Sequence, residues 1–254
     1  THALADLIIK TPLNQKPRLV IWPEGALPWI AESAPEQINN LIHWAQQHDI
    51  TLVSGIFHAQ AKKRYNSALI YDQGHLEFIN KHFLVPFGEY IPLRTLLKPL
   101  LTAFSVPMSA LNASKTLYQP LKQFAIFLCY EIAYPNWVWR NSEHHGSMIV
   151  LTDDNWFEST ISIREHLNIT QMRMLETQKP AVFVNDSGMS QILSPGQPPA
   201  HLQHTLTLRT GSTPIVRWGI GPSLGLAWLF MLGAAFKQRS LNPIRKKNNA
   251  PALT

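Results

Sequence analysis

The feature that most constrains this chain is a run of 19 residues without a charged side chain, from Trp218 to Phe236. A helix of that length spans roughly 28 Å at about 1.5 Å per residue, close to the hydrocarbon thickness of a bilayer. We therefore predict a transmembrane helix over 218–236; the alternative is a helix buried in a protein core. Positive residues flank the run, with Arg217 before it and Lys237, Arg239, Arg245, Lys246 and Lys247 after it.

These basic residues predict the orientation of the helix in the membrane, and their position bears on whether the protein binds nucleic acid. Positive charge beside a short flanking segment favours the cytoplasm, so the tail 237–254 is expected there and the preceding domain across the membrane. In a bacterium that domain faces the periplasm. Without the five tail charges, 17 Lys and Arg remain against 16 Asp and Glu. A nearly neutral body excludes an extended nucleic-acid-binding face.

Residues 1–210 alternate between strand and helix patterns. Helical spacing covers 36–45 and 162–178, and Asp72-Gln73-Gly74 predicts a hairpin turn. Short continuous apolar runs are typical of a sheet that is covered on both faces. These runs are Phe124–Leu128, Met148–Leu151 and Ala181–Val184, while Arg18–Trp22 and Thr51–Phe57 are further predicted strands. We predict an α/β domain over 1–210, a linker over 211–217, the membrane helix and the basic tail.

The polar residues exclude several kinds of site. The single cysteine, Cys129, rules out an intramolecular disulfide and any multi-cysteine metal centre. The histidine pairs at 144–145 and at 201 and 204 have no carboxylate partner at ligand spacing. Asp153 and Asp154 are interpreted as a solvated loop. No metal and no cofactor are therefore predicted.

Three reactive side chains follow predicted strands, where open α/β sheets place their sites. Glu24, Lys81 and Cys129 come after the segments RLVIW, HLEFI and FAIFL. Singly, each has an ordinary interpretation as a solvated carboxylate, a surface lysine or a small buried thiol. Together they supply a base for the thiol, a cation for an oxyanion and a nucleophile. The combination indicates acyl transfer through a cysteine.

Three motifs resemble the nitrilase, or carbon–nitrogen hydrolase, superfamily and within it the apolipoprotein N-acyltransferase family. They are Trp22-Pro23-Glu24, the block KHFLVPFGEYIP over 81–92, and Cys129-Tyr130-Glu131. The resemblance implies a nitrilase-type αββα sandwich followed by one C-terminal transmembrane helix. It also implies the roles of general base for Glu24, oxyanion stabiliser for Lys81 and nucleophile for Cys129.

The same resemblance extends the candidate site and implies a reaction. Glu89 matches a further carboxylate that assists the triad, and Tyr130 and Glu131 match an essential pair after the cysteine. A phospholipid, typically phosphatidylethanolamine, would acylate Cys129, and the α-amino group of a diacylglyceryl-apolipoprotein would accept the acyl chain. The implied enzyme needs no cofactor and acts as a monomer in the bacterial inner membrane.

Two other functions stay open at this point, because parts of the sequence depart from the family pattern. The loop Thr152–Glu158 and the segment Phe183–Gly188 differ from the usual residues, which alters the expected substrate pocket. An amidase that hydrolyses small C–N bonds would share the triad, and an inactive lipid-binding paralogue would tolerate the altered loops. The apolar segment Leu93–Leu111 is interpreted as an irregular core segment or a lipid-contacting arm.

Overall fold

The computed structural model describes residues 18–93, 111–116, 119–154, 160–200 and 206–241. Two sheets lie between layers of helix. The first sheet holds β1 (Leu19–Ile21), β2 (Leu27–Ile30), β3 (Thr51–Gln60), β4 (Lys63–Asp72) and β5 (His75–Asn80). The second holds β6 (Phe124–Leu128), β7 (Ser147–Thr152), β8 (Ala181–Asn185) and β9 (Gln191–Leu193). The helices are α1 (Pro35–Gln47), α2 (Pro135–Ser142), α3 (Thr160–Thr177), α4 (Pro214–Trp218) and α5 (Gly221–Leu241).

Each sheet mixes parallel and antiparallel pairs. In the first sheet, β3 pairs parallel with β1 and β2 and antiparallel with β4, which pairs antiparallel with β5. In the second sheet, β6, β7 and β8 are parallel neighbours, and β9 is antiparallel to β8. The parallel strands need crossover connections, which α1, α2 and α3 supply.

The core has three apolar layers. Because side chains alternate along a strand, Leu52 and Ile56 pack against α1 while Val53 packs against the other sheet. The layer between the sheets contains Val53, Ala68, Ile70, Ile79, Ile126, Leu128, Ile149, Leu151 and Val184. The outer face of the second sheet is covered by residues of α2 and α3. The predicted αββα sandwich is therefore confirmed.

The predicted hairpin fixes the position of one candidate residue. β4 and β5 are joined by Gln73 and Gly74, which both have positive φ, at 45° and 89°. Such a two-residue turn matches the twist of the flanking strands and sets their register. The register brings the end of β5 beside β4, where the backbone N–H of Lys81 donates to the carbonyl of Asn66 at 2.8 Å.

The predicted membrane segment is helical, but it begins later than expected. Gly219 has a φ of +60° and separates α4 from α5. The charge-free part of α5, residues 221–236, is about 24 Å long, shorter than a hydrocarbon core. No helix among the described residues is long and apolar enough to cross a membrane. A transmembrane helix over 218–236 is thus not confirmed, and the boundaries at 210, 217 and 236 stay predictions.

Candidate active site

Three strand ends bring the predicted reactive side chains into the protein interior. Glu24 lies in the turn after β1, Lys81 follows β5, and Cys129 is the first residue after β6. Their exposed fractions are 8%, 1% and 9%. Since β1 and β5 belong to the first sheet and β6 to the second, the group joins the two sheets. Solvent exclusion strengthens every charge interaction within it.

Lys81 lies between two carboxylates. Its Nζ donates to Glu24 Oε1 at 3.2 Å and to Glu89 Oε1 at 3.0 Å. Burial lowers the pKa of Lys81, but the charges of Glu24 and Glu89 outweigh that effect and hold the pKa above its usual value. Lys81 therefore remains a fixed ammonium ion, the form that an oxyanion-stabilising group needs.

Asn66 is a member of this group that the sequence did not single out. Its Nδ2 donates to Glu24 Oε1 at 2.5 Å and to Glu89 Oε1 at 2.6 Å. Glu89 is held further by the backbone N–H of Val85, which donates to Oε2 at 2.8 Å. Asn66 thus joins both carboxylates from β4. The sequence gives no distinguishing signal for it, because β4 also contains Lys63, Arg64, Ser67 and Asp72.

The Glu24 turn is held against β3 by a close backbone approach. The N–H of Gly55 donates to the carbonyl of Pro23 at 3.1 Å, and the N–H of Asp153 donates to Glu24 Oε2 at 3.1 Å. A Cβ at Gly55 would lie less than 3.0 Å from backbone atoms of Pro23, Glu24 and Gly25. Only glycine allows the turn to approach this closely.

We expect Gly55→Ala to displace Glu24 and lower activity by tenfold or more, because an error of about 1 Å in catalytic geometry costs up to about 10²-fold. Overpacking should also reduce the free energy of unfolding by about 1–3 kcal/mol. Gly88→Ala is the matched control, since its nearest neighbour, Val85 Cγ1, would lie at 3.5 Å. The catalytic rate and the free energy of unfolding in urea are measured for both variants. Equal losses in Gly55→Ala and Gly88→Ala would contradict the assigned role of Gly55.

Cys129 occupies a strained backbone position. Its φ is +50°, in the left-handed region that costs a non-glycine residue about 1–3 kcal/mol and is found at functional sites. Burial raises the pKa of the thiol, and the charge of Glu24 raises it further, while Lys81 acts in the opposite direction. The resting thiol is therefore protonated, so a base must accept its proton during attack.

The two residues after the cysteine have different surroundings. Both oxygens of Glu131 accept backbone hydrogen bonds: Oε1 from His82 and Phe83 at 2.6 and 3.3 Å, Oε2 from Leu128 at 3.0 Å. Glu131 therefore ties the segment after Lys81 to the end of β6. Tyr130 is 49% exposed, and the structure does not bring it into the buried group.

Glu131 should impose a pH dependence on stability. Burial raises its pKa to about 7, although the backbone N–H groups of Leu128 and His82 lower it. The folded chain then holds a proton that an unfolded glutamate releases near pH 4.5. The stability from this proton is present below pH 4.5 and is lost as the pH rises to about 7, with a slope of at most ~1.4 kcal/mol per pH unit.

The difference in unfolding free energy between wild type and Glu131→Gln should therefore fall between pH 4.5 and 7 and stay level above pH 7. Urea unfolding over pH 4.5–8 measures this difference. Glu36→Gln removes an exposed carboxylate on α1 and reports the effect of a surface charge alone. A constant difference for Glu131→Gln over the whole range would show that burial does not shift its pKa.

A second buried group lies next to Cys129, and it corrects the interpretation of Asp154 as part of a solvated loop, whereas Asp153 is half-buried. Asp154 is 1% exposed, because its Oδ1 pairs with His166 Nδ1 at 2.9 Å and its Oδ2 accepts from Asn185 Nδ2 at 2.5 Å. Helix α3 supplies His166, and the end of β8 supplies Asn185. Asp154, His166 and Asn185 lie far apart in the sequence, so no local motif predicts that they form a cluster.

These side chains are also of types that bind metals. Cys129 Sγ, a carboxylate oxygen of Asp154 and a ring nitrogen of His166 lie within 4.8 Å of one another. Both ring nitrogens of His166, however, already face oxygen atoms, at Asp154 Oδ1 and the Cys129 carbonyl. The positive charge of Lys81 also acts to lower the pKa of the Cys129 thiol. The arrangement therefore favours a hydrogen-bonded network over a metal centre.

Several predicted features lie outside the described residues. These are the segment 94–110, residues 155–158 of the altered loop, His201, His204 and the tail beyond 241. Of the other altered segment, Asn185 takes part in the buried group around Asp154. The altered sequence there thus contributes to the structure beneath the nucleophile.

The fold and the buried site define the class of this protein: it is a nitrilase-type α/β sandwich. The chain belongs to the carbon–nitrogen hydrolase family, whose sequence pattern matches residues 1–220. The amidase of Nesterenkonia sp. shares this fold with a TM-score of 0.59 at 17% identity, over 89% of this chain and 90% of the amidase. A carbon–nitrogen hydrolase from Helicobacter pylori gives a TM-score of 0.54 at 14% identity, over 76% and 74%.

Relatives of higher sequence identity share one name. The apolipoprotein N-acyltransferase of Coxiella burnetii is 32% identical over 238 residues, covering 88% of this chain and 49% of the relative. That of Azotobacter vinelandii is 31% identical over 241 residues, covering 87% and 46%. The chain thus spans about half the length of these relatives. The predicted resemblance to apolipoprotein N-acyltransferases is confirmed.

Proposed function

We propose that the chain carries the catalytic site of an apolipoprotein N-acyltransferase. It transfers a fatty acyl chain from a phospholipid, through a thioester on Cys129, to the α-amino group of a diacylglyceryl-cysteine. The observation that carries the proposal is the buried contact of Lys81 with Glu24 and Glu89, electrostatically coupled to the thiol. The names of the relatives support the choice of substrate.

In the first half-reaction, Cys129 Sγ attacks the ester carbonyl of the phospholipid and its proton passes to Glu24. Lys81 stabilises the oxyanion of the tetrahedral intermediate. The C–O bond then breaks, the leaving alkoxide takes the proton from Glu24, and a lysophospholipid departs. Glu89 assists because it holds Lys81 and Asn66 in place.

In the second half-reaction, the neutral α-amine of the acceptor attacks the thioester carbonyl. Glu24 accepts a proton from the attacking nitrogen, and Lys81 again stabilises the oxyanion. The C–S bond breaks, and Cys129 leaves as a thiolate that takes the proton back from Glu24. The product is an amide, and the site returns to its starting protonation state.

We assign different roles to the two remaining candidate residues, Glu131 and Tyr130. Glu131 positions the nucleophile turn through its backbone contacts and does not touch substrate. Tyr130 presents its ring at the protein surface beside the nucleophile, where it contacts the incoming lipid. The enzyme acts as a monomer in the bacterial inner membrane, with the catalytic domain in the periplasm and the tail in the cytoplasm.

The surface of α5 supports association with lipid. Its large apolar side chains are exposed around the helix, including Leu224, Leu226, Trp228, Leu229, Phe230 and Phe236. A helix that is apolar on all sides is stable where protein or lipid covers it. We propose that α5 is covered by membrane lipid, which would hold the catalytic site close to its phospholipid substrate.

Product analysis with a defined acceptor tests the proposal. The purified protein is incubated with phosphatidylethanolamine vesicles and a synthetic diacylglyceryl-cysteine peptide, and the peptide is analysed by mass spectrometry. We expect one additional acyl group that resists hydroxylamine, as an amide does. The matched acceptor with an acetylated α-amine should gain none. Release of free fatty acid without acylated peptide would favour a hydrolase of the amidase type, and no reaction would favour an inactive paralogue.

A further inference from the structure

His166 joins the nucleophile to a buried carboxylate. Its Nδ1 lies 2.9 Å from Asp154 Oδ1, and its Nε2 lies 3.2 Å from the carbonyl oxygen of Cys129. All three residues are buried. A backbone carbonyl only accepts hydrogen bonds, so Nε2 is the donor in its contact with Cys129. The imidazole therefore links Asp154 to the backbone of the nucleophile.

The anchor of this ring is rigid. Asp154 is held from two further directions, because Thr152 Oγ1 donates to its Oδ1 at 2.8 Å and Asn185 Nδ2 donates to its Oδ2 at 2.5 Å. The ring also contacts Phe183 edge-on, with ring centroids 5.5 Å apart. Strand ends β7 and β8 thus fix the position and the plane of His166.

The contact lies at the strained residue. The positive φ of Cys129 persists only if the surrounding structure holds both sides of the residue. On the N-terminal side, Glu131 Oε2 accepts from the N–H of Leu128 at 3.0 Å. On the C-terminal side, His166 Nε2 contacts the Cys129 carbonyl. These two contacts hold the N–H of the residue before the nucleophile and the peptide group after it.

We propose that His166 is a positioning residue that donates from Nε2 to the Cys129 carbonyl and so holds Sγ towards Lys81 and Glu24. Asp154 orients the ring for this task. The inference rests on the proposed role of Cys129 as nucleophile. It adds a second buried unit, Asp154 and His166, that acts through the backbone of Cys129; polar atoms of both residues lie within 4.8 Å of Sγ.

Two amide substitutions separate positioning from simple packing. In His166→Gln the amide nitrogen reaches the place of Nε2 and keeps the donor to Cys129. In His166→Asn it takes the place of Nδ1 and keeps only the contact with Asp154. The rate of Cys129 alkylation by iodoacetamide measures the accessibility and orientation of the thiol. The reaction is followed by intact mass between pH 6 and 9. Melting temperatures report stability independently.

We expect His166→Gln to retain an alkylation rate within about threefold of wild type, and His166→Asn to lose about tenfold or more at all pH values. Their melting temperatures should fall by similar amounts. Equal alkylation rates in the two variants, with wild type reactive, would overturn the positioning role and leave the proposed function intact. A wild-type thiol that does not react in the folded protein would overturn both.

Discussion

Cys129→Ser is expected to lower acyl transfer by about 10³-fold or more, as loss of a catalytic nucleophile does in other enzymes. A serine hydroxyl is far less acidic than a cysteine thiol, so removal of its proton by Glu24 requires more free energy. An oxygen ester on serine would also be a poorer acyl donor than a thioester. The test is the initial rate of lysophospholipid release from phosphatidylethanolamine vesicles.

The folding control for this variant is straightforward, because serine differs from cysteine by one atom. Its melting temperature should stay within about 2–4 °C of wild type, which corresponds to about 1 kcal/mol in a domain of this size. A folded Cys129→Ser protein that releases lysophospholipid at the wild-type rate would show that the thiol is not the nucleophile.

Lys81→Met is expected to have the largest combined effect on activity and stability. It removes the ammonium between Glu24 and Glu89 and leaves two buried carboxylates without their cation. Breaking a buried ion pair in this way costs about 3–5 kcal/mol of unfolding free energy. Transfer activity should be lost as well, because no cation remains for the oxyanion. Urea unfolding and lysophospholipid release measure the two effects.

A second buried lysine supplies the matched control. Lys179 Nζ donates to the backbone carbonyls of Ser142 and Glu143 at the end of α2, and not to a side-chain carboxylate. Lys179→Met should therefore cost less stability than Lys81→Met and should retain activity. Adding Glu89→Gln to Lys81→Met should restore part of the lost stability. No recovery in that double variant would contradict the account of charge pairing.

Much of the fold is predictable because local patterns agree with the final packing. The apolar runs at β6, β7 and β8 form the parallel strands of the second sheet. The hairpin turn at Gln73 and Gly74 is marked by its residues alone. The residues Ser33-Ala34-Pro35-Glu36 have the spacing of a capping box, but Ala34 occupies the N-cap and Pro35 begins the helix without a side-chain cap. The start of α1 is instead marked by Pro35 at its first position.

The candidate site is predictable only in part, for a physical reason. Reactive residues at strand ends, such as Glu24 and Lys81, are visible in the sequence. Asn66 is not, because its role depends on the pairing of β4 with β5 and on the turn at Glu24. His166 and Asp154 meet only when α3 packs on the second sheet. Contacts between distant segments carry no local signature.

The most direct test of the account is the intact mass of the protein after incubation with phosphatidylethanolamine vesicles in the absence of acceptor. We expect a mass gain of one fatty acyl group that hydroxylamine removes, as it removes a thioester, and no gain in Cys129→Ser. A folded wild-type protein that releases lysophospholipid yet carries no adduct, or an adduct that survives in Cys129→Ser, would contradict it.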